Sequence, residues 1–362
     1  MKFTHMRKLL PFYPVLFCFT VVRLAAQPLY VPPQLSSPDA WTMVLLPDPQ
    51  TYGKFARNQP VFELMTAWTA ENISKLNIRM VLCTGDLVEQ NQMPNPNQIN
   101  GDQPSKSQWE SVARAFERLD GRVPYICGTG NHDFGFKSAE NRQTYYDRYF
   151  PPDKNFRSQE LLRDAGFDGD GNPSLTNATY ELTSPHGQKL LFMVLEFAPR
   201  DAVLEWARKT VSQEKYKDHF VILLTHSYLN SKSEHIEKEG YPLTDRNYGL
   251  AVWQKLVQPS SNIRMVFSGH IGAPDDVLGH IGFRSDKNAA GKKVNQMVFN
   301  AQALGGGWHG NGGDGWLRTL EFLPGGKKVK VRTFSPLFAI SPSTRHLAWR
   351  TEPYDEFEFD ID

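Results

Sequence analysis

The sequence predicts an α/β fold with a parallel sheet, on three observations. The run Met80-Val81-Leu82-Cys83 is apolar and closes on Thr84-Gly85-Asp86. A buried parallel strand ends this way when its last turn presents a functional group above the sheet. Between it and an earlier apolar run, Trp41 to Leu46, lies a segment of helical spacing, so strand, helix and strand follow one another as in a βαβ unit. Other apolar runs also close on Asp, Asn or His, and the carboxyl ends of strands are where open α/β sheets place their ligand crevice.

The chain has 362 residues, 40% hydrophobic and 22% charged, an ordinary globular balance with room for one large domain or two small ones. Net charge is +1 and no basic run is interleaved with aromatics, which argues against a nucleic-acid or anionic-membrane surface. Residues 1–26 read as an export signal. Lys2, Arg7 and Lys8 give a charged start, Leu9 to Val22 is apolar, and Ala25-Ala26 offers a small-residue cleavage site. The run is short for a membrane span and carries Pro11 and Pro14. Cleavage is therefore preferred over an uncleaved anchor, and a secreted or periplasmic chain without membrane attachment is expected. Cys83 and Cys127 remain in the mature chain. Both lie in apolar runs, where a thiol behaves as a small buried hydrophobe, and a disulfide between them is open but not required.

Residues 27–40 are rich in Pro and Ser and read as a linker. Trp41 to Leu46 is a strand, followed by the turn Pro47-Asp48-Pro49-Gln50. Asp48 and Gln50 can point to one side of an extended segment, though an aspartate beside proline is also ordinary turn chemistry. Phe62, Met65, Trp68, Ile73 and Leu76 recur at helical spacing over 59–77. Residues 90–108 form a loop rich in Asn, Gln and Pro, placed to line or cover whatever Asp86 serves. Trp109 to Leu119 is the next helix. Val123 to Cys127 is the next strand, closing on Gly128-Thr129-Gly130-Asn131-His132-Asp133. Asn offers an amide oxygen to a hard cation, His132 works as acid or base near neutral pH, and Asp133 is a candidate to orient it. Asp168, Asp170 and Gly171 belong to a surface loop, because the glutamate that would complete a calcium loop is missing. Strands at Thr179 to Leu182 and Lys189 to Phe197 flank a turn, a helix spans Ala202 to Gln213, and the next strand closes on His226. Beyond a polar segment at 230–248, Ile263 to Ser268 closes on Gly269-His270. Later strands are Val294 to Asn300, Leu317 to Leu323 and Lys327 to Phe334, with a glycine-rich loop carrying Trp308 and His309 after the first. Residues 336–362 read as an extension packed on a domain spanning 41–335.

Asp48 with Gln50, Asp86, Asn131 with His132, His226 and His270 thus all stand at strand ends. Each alone has an ordinary turn reading. On one sheet edge they are the donor set for one or two divalent cations.

The ordered set Asp48-Pro49-Gln50, Gly85-Asp86-Leu87-Val88-Glu89, Gly130-Asn131-His132-Asp133, His226 and Gly269-His270-Ile271-Gly272 resembles the calcineurin-like metallophosphoesterase superfamily. The resemblance implies a four-layer α/β/β/α sandwich of two mixed sheets flanked by helices. It implies a hydrolase of phosphomonoesters or phosphodiesters that takes a small phosphate-ester substrate and two divalent metal ions, Mn, Mg, Fe or Zn. Asp86 would bridge the ions. Asn131, His226 and His270 would complete one site, and Asp48 and Gln50 would serve the other. The family has a histidine where Gln50 stands and another where Gly272 stands, so the second site is richer in oxygen and favours harder ions such as Mn or Mg. His280 and His309 are candidates for a replacement ligand. Metal-bound hydroxide would attack in line, with His132 protonating the leaving oxygen or holding the phosphate, and with Asp133 and Glu89 orienting nearby groups. Tyr52, Tyr228, Trp308 and His309 are candidates for substrate contact. The missing histidines leave a second reading open, a catalytically weak metal-containing binding protein for a glycan or nucleotide.

Overall fold

The structure is a computed structural model that describes residues 30–361. The export signal read over 1–26 lies outside the described residues. The first sheet begins with β1 (Trp41–Leu46), β2 (Ile78–Cys83) and β3 (Tyr125–Cys127), parallel neighbours in that order. The second sheet holds β4 (Leu162–Phe167), β5 (Pro173–Thr183), β6 (Lys189–Val194), β7 (Phe220–Leu224), β8 (Ile263–Ser268), β9 (Ile281–Lys287) and β10 (Lys293–Phe299). The chain then returns to the first sheet with β11 (Leu317–Phe322), β12 (Lys328–Phe334), β13 (Trp349–Arg350) and β14 (Phe357–Asp360). β11 runs antiparallel to β1, and β13 and β14 both pair with β12. In the second sheet β6, β7, β8 and β10 form a parallel centre with antiparallel strands at both edges. Both sheets are therefore mixed.

The period-two alternation of side chains separates the layers. Leu190, Phe192 and Val194 of β6, with Phe220, Ile222 and Leu224 of β7, join the core shared with Met43, Leu45 and Leu320 of the first sheet. Their neighbours Leu191, Met193, Val221 and Leu223 turn the other way and pack with Val203, Leu204 and Ala207 of the helix Asp201–Val211. Helices Gln59–Glu71 and Ser105–Glu117 bring Phe62, Met65, Trp109 and Phe116 onto the outer side of the first sheet. Helix, sheet, sheet, helix is the four-layer order expected. Strands covered on both faces read as continuous apolar runs, which is why the central ones were plain in the sequence.

The periphery differs from expectation. The helix from Gln59 stops at Glu71, and the chain turns through Asn77 at φ 46° before β2. β4 and β9 lie at sheet edges with all but one residue of each exposed or half-buried, so neither shows an apolar run. Residues 30–40 are tied down: Trp349 donates to Val31 O, Arg332 to Gln34 O, and Ser36 to the Glu321 carboxylate. Cys83 and Cys127 are register partners in β2 and β3, both buried and both free thiols. Among the described residues no helix is long and apolar enough to cross a membrane.

Candidate metal centre

The carboxyl ends of β1, β2 and β3 meet those of β7 and β8 at one edge of the sandwich. Asp48, Asp86, Asn131, His226 and His270 stand just beyond these ends. Asp86, His226 and His270 each offer a ligand atom, all within 4.8 Å of one another. His226 Nε2 lies 3.1 Å from Asp86 Oδ2, and His270 Nδ1 lies 2.9 Å from Asn131 Oδ1.

Four of the donors, His226, His270, Asn131 and Gln50, are each aimed by a hydrogen bond made at the other end of the group. A carbonyl can only accept, so His226 gives its Nδ1–H to Thr84 O at 2.8 Å and turns Nε2 toward Asp86. His270 gives Nε2–H to Glu239 Oε1 at 2.5 Å and turns Nδ1 inward. The Asn131 amide nitrogen donates to Ser138 Oγ at 2.9 Å, leaving Oδ1 for the site. The Gln50 amide nitrogen donates to Glu89 Oε2 at 3.3 Å, and its Oε1 is buried with no hydrogen-bond partner among the described residues. Metal ligands are held in this manner, with hydrogens given to the protein and lone pairs turned inward. The donor set fits a divalent cation.

Backbone geometry makes room for the cluster. A Cβ on Gly130 would stand 2.1 Å from Asp86 Oδ1, and one on Gly269 would stand 2.1 Å from Asp48 Oδ1. Asp86 and His270 themselves sit at φ 49° and 79°, a left-handed conformation that side-chain-bearing residues seldom adopt. Asp48 uses both oxygens, accepting from Thr84 Oγ1 at 2.5 Å, His270 N at 2.8 Å and Asn300 Nδ2 at 2.6 Å. Burial pushes the Asp48 carboxyl up, against the pull of His226. Burial also acts to raise Asp86, but His226, His132 and His270 together hold it below the usual range. Burial disfavours the His226 cation, yet Asp86 and Asp48 outweigh it and push its pKa up to about 10. A pocket that holds a proton this firmly between two carboxylates also satisfies a cation.

A family model described as calcineurin-like phosphoesterase matches residues 43–274, from β1 to just past His270. The chain belongs to that family. The family is one of metal-dependent phosphoesterases that bind divalent ions. This chain is similar to the uncharacterized protein YvnB of Bacillus subtilis (strain 168), at 28% identity over 303 residues. The match covers 82% of this chain but 20% of that protein, so the chain spans a minor part of its relative's length. Among solved structures it is similar to GAP50, the anchor in the inner membrane complex of Plasmodium, at 12% identity and a TM-score of 0.44, with 89% of each chain covered.

Within the site, His132 donates its main-chain N–H to Asp86 Oδ1 at 2.9 Å and its ring Nδ1–H to Glu89 O at 2.7 Å, which leaves Nε2 unengaged by these bonds. Asp133 does not orient that ring, contrary to expectation. Its carboxylate accepts from Val88 N at 3.1 Å and Gly130 N at 2.8 Å, so it pins the turns after β2 and β3 to each other. Glu89 serves Gln50 and pairs with Lys54 at 3.2 Å. Trp308 lines a cleft of about 1030 Å³ together with Glu239, His270, Gly272 and Arg284. The other substrate candidates lie elsewhere. Tyr52 and Tyr228 are fully buried, the first accepting from Gly315 N and the second donating to Gln296 Oε1. His309 does not line the cleft; its carbonyl accepts from Arg57 and its ring lies 5.9 Å from Phe55. His280 has both nitrogens committed to main chain, at Asp276 O and Ala303 N, and is no replacement ligand. Sequence reasoning missed Glu239 and Asn300. Glu239 follows no apolar run and gave no signal. Asn300 closes β10 just as Asp48 closes β1, and the same rule applied once more would have found it.

Proposed function

We propose that the chain is an exported, metal-dependent hydrolase of phosphomonoesters or phosphodiesters. The observation that carries this reading is the convergence of Asp86 with Asn131, His226 and His270, the last three each aimed inward by an outer hydrogen bond, beside a cleft large enough for an ester's leaving group. Bound divalent cations supply charge neutralisation for phosphoryl oxygens and a nucleophilic water near neutral pH. Asp86 has Oδ2 toward His226 and Oδ1 toward the His132 amide, and it would be the carboxylate shared by two bound ions. Asp48 and Gln50 would hold the second of these ions. His132 keeps Nδ1–H on the Glu89 carbonyl while Nε2 holds the phosphate or gives a proton to the leaving oxygen. Trp308, 37% exposed, forms an apolar wall of the cleft and Arg284 a cationic one. The charged start and apolar run before Ala25-Ala26 support export.

The test is turnover of generic mono- and diesters by purified protein loaded in turn with Mn, Mg, Fe and Zn. Wild type should hydrolyse at least one ester class, and His132→Ala should lose about 10²-fold or more in kcat. Asp86→Asn should lose metal as well as activity. A metal-loaded wild type no faster across the panel than a chain carrying both His132→Ala and Asp86→Asn would favour a binding protein that holds a glycan or nucleotide without turnover.

A further inference from the structure

Asn131 and Gln50 share a device: the amide nitrogen is given to a protein acceptor and the oxygen is left for the site. Gln302 shows the same device. Its Nε2 donates to His270 O at 3.3 Å, the residue is 2% exposed, and Oε1 is buried with no partner among the described residues. A buried amide oxygen is unfavourable unless something donates to it or binds it.

Gln302 is fixed against the centre from several directions. Asn300 Oδ1 accepts the Gln302 main-chain N–H at 3.1 Å while Asn300 Nδ2 holds Asp48 Oδ2 at 2.6 Å. The following residue, Ala303, donates to His280 Nε2 at 3.2 Å. Gln302 therefore touches His270 directly and reaches Asp48 through one intermediary.

A donor is also wanted there. Position 272 is glycine, and a Cβ on it would lie 2.9 Å from the Trp308 ring and 3.1 Å from His280 Nε2. A side chain at 272 has no room, and His280 is already engaged. We propose that Gln302 Oε1 is the donor that completes the ion site of Asp48, Gln50 and Asp86. This rests on the two-ion reading above and makes the second site all oxygen, a set that suits Mg or Mn over Zn.

Metal-free protein is titrated with Mn²⁺ at neutral pH, with stoichiometry read by calorimetry and by electron paramagnetic resonance of free Mn²⁺. Both readouts are independent of turnover. Wild type should take two ions, and Gln302→Ala should lose or weaken only the weaker one, by about tenfold or more. Gln302→Glu keeps an oxygen and adds charge, and should bind that ion more tightly than wild type; it carries the test alone if Gln302→Ala fails to fold. Two ions bound by Gln302→Ala with unchanged constants would overturn the assignment and leave the two-ion reading standing. A wild type that takes one ion would overturn both.

Discussion

Glu239 decides which nitrogen His270 presents. With Oε1 on His270 Nε2 at 2.5 Å and Oε2 on Ser227 Oγ at 2.6 Å, the carboxylate is anchored at both ends. Burial works against its charge, but the His270 and Ser227 hydrogen bonds, with the charge of His226, hold its pKa below the usual range. Glu239→Ala should lower metal affinity by about 10–100-fold, while Glu239→Gln, which still accepts from Nε2, should lose less. Equal losses in a calorimetric titration would mean that charge, not orientation, is what Glu239 contributes. His226 gives a second residue-level prediction. Its pKa is raised from 6.5 to about 10, so the proton it carries stabilises the metal-free fold fully below pH 6.5. That contribution is lost as pH rises toward 10. A cation bound at Nε2 must displace this proton, so metal uptake near pH 8 should release about one proton. Calorimetry in buffers of different ionisation enthalpy measures it, and no release would mean that His226 is already neutral.

At the scale of elements, the site is a set of strand ends held in register by their loops. Gln50 depends on Glu89 in the loop after β2, and Glu89 depends on Lys54 just beyond the helical turn Gln50–Gly53. The side chains of Lys54 and Glu89 are 4% and 11% exposed, so this is a buried ion pair. Lys54→Met strands a buried carboxylate and should lower stability by about 3–5 kcal/mol, read from the urea midpoint. Lys54→Met with Glu89→Leu should recover most of that stability yet leave Gln50 unanchored and the second ion weak. Recovery of both would remove Glu89 from the site's support. The same view explains what was legible in the sequence. β1, β2, β7 and β8 are buried on both faces, so their apolar runs and polar terminations stood out together. β9 reads Ile-Gly-Phe-Arg-Ser-Asp-Lys because an edge strand keeps one side in water. Tyr52 and Tyr228 were misplaced because nearness to a strand end in sequence does not say whether a ring turns toward cleft or core. Asp133 was misread because adjacency to His132 gave no view of the Val88 and Gly130 amides that it satisfies.

At the scale of the molecule, the candidate metal ligands come from both sheets, so the site exists only while the sheets keep their relative position. The chain after β12 helps to hold them. β13 and β14 cover β12, and Asp355 O accepts from Thr333 Oγ1 at 3.0 Å. Arg318 of β11 is 1% exposed and reaches both the C-terminal segment and the opposite sheet. Its Nη2 donates to Tyr354 O at 2.7 Å, its charge lies 3.8 Å from Asp355, and its guanidinium stands 4.5 Å from the Phe299 ring centre in β10 of the opposite sheet. Burial lowers the Arg318 pKa and the Asp355 charge opposes that, so the carboxylate keeps a buried cation tolerable. A chain ending at Thr344 keeps every metal ligand but leaves this guanidinium without its carboxylate, and bares β12 as an open edge. Breaking a buried pair from one side costs about 3–5 kcal/mol, so the urea midpoint should fall by the equivalent amount. Arg318→Met in the full chain removes the charge along with its need for Asp355 and should be milder than the truncation. Metal affinity of the folded fraction should be unchanged in both, because neither touches a ligand. A truncated chain as stable as the full one would place the C-terminal strands outside the cooperative unit, and the two sheets would then owe their alignment to the apolar core alone.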